Sequence, residues 1–371
     1  MTEQQWLDQV LAKLEIKMKV VAERSKDKMP FASQDGLHDD RSGRLFEWTN
    51  GFWGGMLWLM YMMTQKEPYK LLAEKNERRL DGAFALYDRL DHDVGFLWMP
   101  TAGLHYKLDG NKESFSRLYY AACLLAGRFH LNGRFIRAWD FNPQYVSIID
   151  CLFNIPLLYL MSEELGDPRF RQLAMAHADT VLRQHVRDDG SVIHIVTHDS
   201  ETGAMTGHLA GQGYDESSAW SRGQAWAVYG FVISYMHTGE RRYLNAAKRT
   251  ANYFLAACCE DFLPRCDFRA PEIPVVYDAS AGAIAACGML DIARHCEELD
   301  SEKYRKGALQ LLRAMEAKFC DWPTETDFIL RNCSRRYGVM EPNGRNISLI
   351  FGDYYFLEAI AHLKDSEFRF W

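Results

Sequence analysis

The sequence lacks the features that mark several large classes of protein. No uncharged apolar run reaches about 18 residues, so no membrane-spanning segment is predicted. Residues 2–5, Thr-Glu-Gln-Gln, are polar or acidic, whereas a signal peptide would begin with basic and then apolar residues. Lys and Arg total 43 against 50 Asp and Glu, and this net charge of −7 argues against a nucleic-acid partner.

Cysteine is arranged neither for disulfides nor for zinc. The nine cysteines are an odd number, and none forms a Cys-x-x-Cys pair. Several of them, such as Cys123, Cys151 and Cys287, lie in apolar stretches with helical spacing. Reduced, buried thiols in a cytoplasmic protein fit this pattern, and no metal site is predicted.

Strand patterns are scarce, whereas helical periodicity runs through the chain. One kind of helical segment is amphipathic and charged, and the other is apolar on nearly every side; the two kinds alternate. Because helices that are apolar all round are buried and amphipathic ones lie outside, we predict six outer and six inner helices. The outer segments are 6–24, 67–90, 112–131, 167–185, 240–259 and 301–320. The inner segments are 51–64, 95–107, 148–165, 217–237, 278–296 and 348–363.

This alternation predicts an all-α fold, a closed (α/α)6 barrel built by residues 1–371 as one domain. An open superhelix of helix pairs is the alternative. Long non-helical connections interrupt the pattern at residues 29–50, 132–147, 188–216 and 321–347. Since long loops in a compact domain are usually functional, we expect them to gather at one mouth of the barrel.

Asp150 stands near the start of the apolar run 148–160. It either caps a helix or is a carboxyl group held partly protonated in a cleft, as a general acid requires. Asp93 precedes another inner segment in the same way, whereas Asp91 is interpreted as a cap or bridge at the surface. Two carboxyl groups at matching helix ends are an arrangement that sugar hydrolysis uses.

Aromatic residues and one arginine accompany these carboxyl groups. Trp48 and Trp139 lie in polar loop contexts, where they either pack or offer a flat face to a sugar ring. Arg222 and Trp226 share a face of an otherwise apolar helix. An arginine there needs an acidic partner, which is either a carboxylate of the protein or a bound one.

Five motifs occur in order along the chain: TNGFWGG at 49–55, HDVGF at 92–96, IDCLFNIPLL at 149–158, SRGQAW at 221–226 and GDYY at 352–355. Together they resemble the unsaturated glucuronyl hydrolases, glycoside hydrolase family 88, over nearly the whole chain. The resemblance implies an (α/α)6 barrel with no metal and no organic cofactor. It also implies that the binding partner is an oligosaccharide ending in a 4,5-unsaturated uronic acid, as polysaccharide lyases leave behind.

The resemblance also assigns roles to individual residues. The two catalytic aspartates of the family fall on Asp93 and Asp150. The substrate-binding positions fall on His92, Trp48, Trp139, His194, Gln212, Trp220, Arg222 and Trp226. Where some members have a histidine before the glutamine of the loop, this sequence has Gly211. Residues 341–346 are expected to border the side of the site that holds the rest of the oligosaccharide.

The implied reaction is hydration of a vinyl ether. A proton is added at C4, water adds at C5, and the resulting hemiketal opens to release the remaining sugars. Asp150 would give and take the proton, while Asp93 would hold ring hydroxyls or support the charge at Asp150. Three alternatives stay open: an inverting glycosidase using the same aspartates, a sugar epimerase using histidines, and a non-catalytic carbohydrate-binding protein.

Overall fold

The computed structural model describes residues 1–140, 144–258, 260–338, 344–365 and 367–371, so residues 341–343 of the segment 341–346 lie outside the described residues. The helices are α1 Glu3–Arg24, α2 Asn50–Thr64, α3 Glu67–Phe84, α4 Val94–Trp98, α5 Leu104–Asp109, α6 Lys112–Ala126, α7 Pro156–Leu165, α8 Pro168–Gln184, α9 Ser221–Thr238, α10 Arg241–Ala257, α11 Ala279–Arg294, α12 Glu298–Phe319 and α13 Ile350–Lys364. The short strands are β1 Ser33–Gln34, β2 Leu37–His38, β3 Phe129–His130, β4 Phe135–Ile136, β5 Tyr145–Ile148, β6 Ile195–His198 and β7 Met205–Leu209. Across this described part of the chain, no helix combines the length and the apolar character that a membrane crossing needs.

The predicted helical segments are present, and the two kinds differ in burial as expected. Almost every residue of α9, α11 and α13 is buried, whereas α8, α10 and α12 bury one face only. The segment predicted at 95–107 consists of α4 and α5 joined by a π-helical turn, Met99–Gly103. The predicted segment 67–90 extends past the end of α3, because the chain leaves the helix after Phe84 and forms a 3-10 turn at Tyr87–Arg89.

The buried helices contact one another in sequence order. Helix α2 packs on α4, and the 3-10 turn Ile149–Phe153 before α7 packs on α9. Helix α9 then packs on α11, α11 on α13, and α13 returns to α2. The amphipathic helices α3, α8, α10 and α12 lie against α2, α7, α9 and α11 respectively. One large hydrophobic core fills the space between these elements.

A buried carboxyl group lies within this core on α13. The Glu358 carboxyl accepts hydrogen bonds from the Tyr229 hydroxyl at 2.7 Å and from the Trp371 indole N–H at 2.9 Å. Burial raises the pKa of Glu358 to about 7. The side chain is therefore about half protonated at neutral pH, whereas an exposed glutamate would be fully ionised there.

A three-stranded antiparallel sheet occupies connections that were predicted only as non-helical. Strand β6 lies between β5 and β7, and Ile148 at the end of β5 pairs with Ile195 at the start of β6. The backbone N–H of Ile149 continues this pairing by donating to the carbonyl oxygen of His194 at 3.1 Å. The end of the sheet therefore places Asp150 next to His194.

Candidate active site

Asp150 and His194 form the centre of the site. Nε2 of His194 lies 3.4 Å from Oδ1 of Asp150. On the other side of the ring, Nδ1 accepts a hydrogen bond from the backbone N–H of Gln212 at 3.0 Å. Because that N–H can only donate, the proton of the neutral imidazole must sit on Nε2, facing Asp150. His194 therefore presents a donor to the carboxyl group.

This environment favours the ionised form of Asp150. Burial opposes ionisation, but the contact with His194 lowers the pKa of Asp150 below its ordinary value. The side chain is 15% exposed. A partly protonated Asp150 was the sequence-based expectation; the structure differs because His194 faces it.

Asp93 has the opposite character. It lies at the N-terminus of α4 and is 17% exposed. Burial, together with the charges of Asp91 and Asp150, raises its pKa well above the ordinary value. Asp91 is not a surface bridge, since it accepts a hydrogen bond from the Asp93 backbone N–H at 2.9 Å and burial raises its pKa to about 6. Of the two candidate catalytic carboxyl groups, Asp93 is therefore the one whose surroundings favour the protonated form.

His92 lies between Asp93 and Trp139 and is completely buried. Its ring meets Trp139 edge to face at 6.0 Å. Among the described residues, neither ring nitrogen has a hydrogen-bond partner. Burial lowers the pKa of His92 to about 3, so the ring is neutral. A buried, neutral imidazole with two unsatisfied nitrogens is suited to bind a polar group that enters the site.

Two cavities meet at Glu47 and Trp48, which line both of them. The first, of about 350 Å³, contains Asp93. Its lining residues are Arg44, Phe46, Glu47, Trp48, Asp88, Arg89, Leu90, Asp91, Asp93 and Asp140. The second, of about 240 Å³, is lined by Phe31, Glu47, Trp48, Gln212, Arg222, Arg335, Arg336 and Phe351. The first wall is rich in carboxyl groups and the second in arginine, so the cleft is electrostatically polarised.

Arg222 is held by the protein itself. One terminal nitrogen donates to the Asp278 carboxylate and to the backbone oxygen of Ser334 at 2.6 Å. The other donates to Oε1 of Gln212 at 2.7 Å and to the backbone oxygen of Arg335 at 2.8 Å. The guanidinium plane also lies over the rings of Trp220 and Phe351. Of the two partners left open by the sequence, the structure supplies the protein carboxylate, so Arg222 is a buried ion-pair partner.

The four tryptophans differ in exposure. Trp48 and Trp139 are half-buried, and Trp48 contacts Phe96 and Phe351. Trp220 is buried under His194, with the two rings 4.3 Å apart. Trp226 is also buried. Its neighbours are the rings of Phe96, Phe153 and Tyr355. Trp226 was expected at a substrate-binding position, but these rings enclose it in the core.

Two residues of the site were not singled out from the sequence. Asn154 contacts both the Asp93 carboxyl and the start of α4, and Asp278 pairs with Arg222. Each had a visible signal, since Asn154 is a polar residue inside the apolar run and Asp278 stands just before an inner helix. Neither signal identifies a partner, because both contacts join residues far apart in sequence.

Two carboxyl groups whose pKa values shift in opposite directions, beside half-buried tryptophans in a mostly helical chain, are features of a glycoside hydrolase. No protein-family model matches the chain. It is 35% identical to the unsaturated glucuronyl hydrolase of Bacillus sp. strain GL1, over 93% of each chain. It is 32% identical to the unsaturated chondroitin disaccharide hydrolase of Streptococcus pneumoniae strain R6, over 99% of this chain and 93% of the relative.

Solved structures agree with these relatives. The unsaturated glucuronyl hydrolase of Streptococcus agalactiae superimposes with a TM-score of 0.91 at 29% identity, covering 100% of this chain and 94% of that chain. A substituted UGL with dGlcA-Glc-Rha-Glc gives a TM-score of 0.90 at 32% identity, covering 95% and 96%. The chain therefore belongs to the unsaturated glucuronyl hydrolases.

Proposed function

We propose that this hydrolase removes the 4,5-unsaturated uronic acid from the non-reducing end of lyase-generated oligosaccharides, such as those of glycosaminoglycans. The observation that carries the proposal is the pair formed by Asp93 and Asp150, two mostly buried carboxyl groups whose pKa values shift in opposite directions. When their surroundings separate the pKa values of two carboxyl groups in this way, one site can provide both an acid and a base. Relatives named for this activity support the same reaction.

The architecture that we propose for this activity is an (α/α)6 barrel formed by the whole chain as one domain. It is supported by the closed series of contacts among the buried helices, in which α13 returns to α2. A continuous hydrophobic core shared by all the buried helices supports a single domain. The odd number of cysteines and the lack of a Cys-x-x-Cys pair in the sequence support a cytoplasmic location.

Asp150 is the residue that exchanges protons with substrate and water in this proposal. An incoming uronate adds a negative charge and displaces water, and both effects raise the pKa of Asp150. Asp150 therefore takes up a proton as substrate binds and delivers it to C4. Water then adds at C5, and the proton it releases returns to Asp150. Asp93, whose surroundings favour the protonated form, donates a hydrogen bond to the ring hydroxyls.

The uronate carboxylate is assigned to the arginine-rich cavity. Arg222 already meets five protein acceptors, so its part is to hold Gln212 in place. Arg335 and Arg336 line the same cavity beside Gln212 and supply positive charge there. With the carboxylate on this wall, the double bond would face the wall that carries Asp93.

Aromatic side chains complete the proposed binding site. Trp48, at the junction of the two cavities, and Trp139, beside His92, are assigned as the faces on which sugar rings stack. His92 contributes its unsatisfied nitrogens to hydroxyl groups. Trp220 supports His194 from below, and Trp226 supports the site from the core.

The proposal is tested by following the ultraviolet absorbance of the conjugated double bond, which disappears on hydration. Unsaturated disaccharides that differ in linkage and sulfation should be compared, because relatives are named for chondroitin disaccharides and one structure holds dGlcA-Glc-Rha-Glc. A matched saturated disaccharide is the control. Turnover of the saturated sugar would identify an inverting glycosidase, epimer formation an epimerase, and binding without turnover a carbohydrate-binding protein.

A further inference from the structure

Asn154 connects the two segments that carry the candidate catalytic carboxyl groups. It follows directly after the 3-10 turn that contains Asp150, and it is completely buried. Its Oδ1 accepts a hydrogen bond from the backbone N–H of Phe96 at 3.0 Å, and its Nδ2 donates to Oδ1 of Asp93 at 3.4 Å. One amide group therefore contacts the α4 backbone and the Asp93 carboxyl together.

The contact with Phe96 replaces the capping hydrogen bond that the Asp93 side chain would normally make to the first turn of α4. Asp93 is the N-cap residue of α4, and an N-cap aspartate usually accepts from a backbone N–H in the first turn. In the described part of the chain its side chain makes no such cap. Asn154 accepts from that turn instead, which leaves the Asp93 carboxyl directed into the cleft.

The two segments are as close as the chain allows at this point. A Cβ atom added to Gly95 would lie 2.5 Å from the Cα of Asn154 and 2.7 Å from its Oδ1. Only glycine leaves room for this approach. The position of Asn154 relative to Asp93 is therefore determined by backbone packing as well as by its hydrogen bonds.

We propose that Asn154 is a positioning residue for the hydration reaction, in which its amide group caps α4 in place of Asp93 and orients the Asp93 carboxyl toward the substrate. This inference rests on the proposed function, because it assigns Asp93 a role at the reacting sugar. An amide suits the task, since it offers an acceptor and a donor at once.

The variant Asn154→Asp separates the two contacts. An aspartate has the same shape and still accepts from Phe96, but when ionised it cannot donate to Asp93. When protonated it can donate again. We expect kcat at neutral pH to fall by about 100-fold, as for other misplacements of a reacting group, with KM changed far less. The loss should shrink as the pH is lowered, because the acid form restores the donor.

The pH profile must be judged against all the groups that face Asp93. These are Asp91 and His92 on its own loop, Asp150 and Cys151 on the 3-10 turn, and Arg128. The control is Asn76→Asp, the same substitution at a buried site on the outer helix α3. It can lower stability, but it should leave the shape of the pH profile unchanged.

A readout besides activity is the carboxyl carbon resonance of Asp93, assigned by its absence in Asp93→Asn. Its titration midpoint should rise both in Asn154→Asp, which adds a charge, and in Asn154→Ser, which is the second variant should the first not fold. An unchanged midpoint, or a loss of activity that is the same at every pH, would overturn the inference. An inactive wild-type enzyme would instead refute the proposed function, and the NMR titration would still test Asn154.

Discussion

Replacing Arg222 by lysine is the most direct test of whether this arginine pairs with a carboxylate of the protein or with the carboxylate of the substrate. The guanidinium is 2% exposed and its two terminal nitrogens meet Asp278, Gln212 and two backbone oxygens. A lysine ammonium can keep Asp278, but it lacks the planar fork that reaches Gln212 as well. Losing about two hydrogen bonds to a charged group should cost roughly 3–5 kcal/mol of unfolding free energy.

Urea unfolding of wild type and Arg222→Lys measures this cost. The matched control is Arg169→Lys, which changes an exposed ion pair with Asp167 and should leave the stability almost unchanged. Activity is compared on an unsaturated uronate and on its methyl ester, and kcat/KM should fall by a similar factor on both. A variant as stable as wild type, with a loss confined to the charged substrate, would refute this reasoning and make Arg222 the carboxylate ligand.

Asp150→Asn and Asp93→Asn should fold, and Asp150→Asn should lose about 10²–10⁴ in turnover; an active Asp150→Asn enzyme would end its assignment as acid and base. Trp48→Ala should raise KM with little change in thermal stability, whereas Trp226→Ala should cost about 3–5 kcal/mol in denaturant unfolding; equal effects would show that Trp48 is also a core residue. Glu358→Gln should become more stable relative to wild type as the pH rises. The pKa of Glu358 is about 7 in the folded state, above its value in the unfolded state, so the wild type loses unfolding free energy as the pH rises from about 4.5 to 7. The difference in unfolding free energy between wild type and Glu358→Gln should therefore change by roughly 3 kcal/mol between pH 5 and pH 8. A difference that does not change with pH would mean that Glu358 is ionised in the fold.

The helices could be predicted because their signal is local. Helix α10 buries one face and α11 is buried on nearly every side. The hydrophobic pattern of neighbouring residues in each segment is enough to predict this difference. The sheet of β5, β6 and β7 could not, since its strands have only four or five residues and β5 pairs with β6 across about 50 positions of chain. Short strands take their stability from partners that no local window contains.

The same distinction applies to the site. Asp150 was recognisable as a carboxylate in an apolar run, but the direction of its pKa shift depends on His194, which the sheet brings from 44 residues away. Arg222 was recognisable as a buried cation in need of a partner, and both partner types were weighed. Only the structure identifies that partner as Asp278, because the contact joins the first turn of α9 to the residue before α11.

Gly211 shows how one departure from the family pattern acts on the catalytic centre. Its φ is +62°, a conformation that favours glycine, and an added Cβ would lie 2.1 Å from Nδ1 of His194. A histidine at this position could not coexist with the present loop, because it would displace the imidazole ring or the Gln212 N–H that bonds to it. Without that hydrogen bond the Nε2 proton of His194 would no longer be held toward Asp150. The glycine therefore acts on Asp150 through His194.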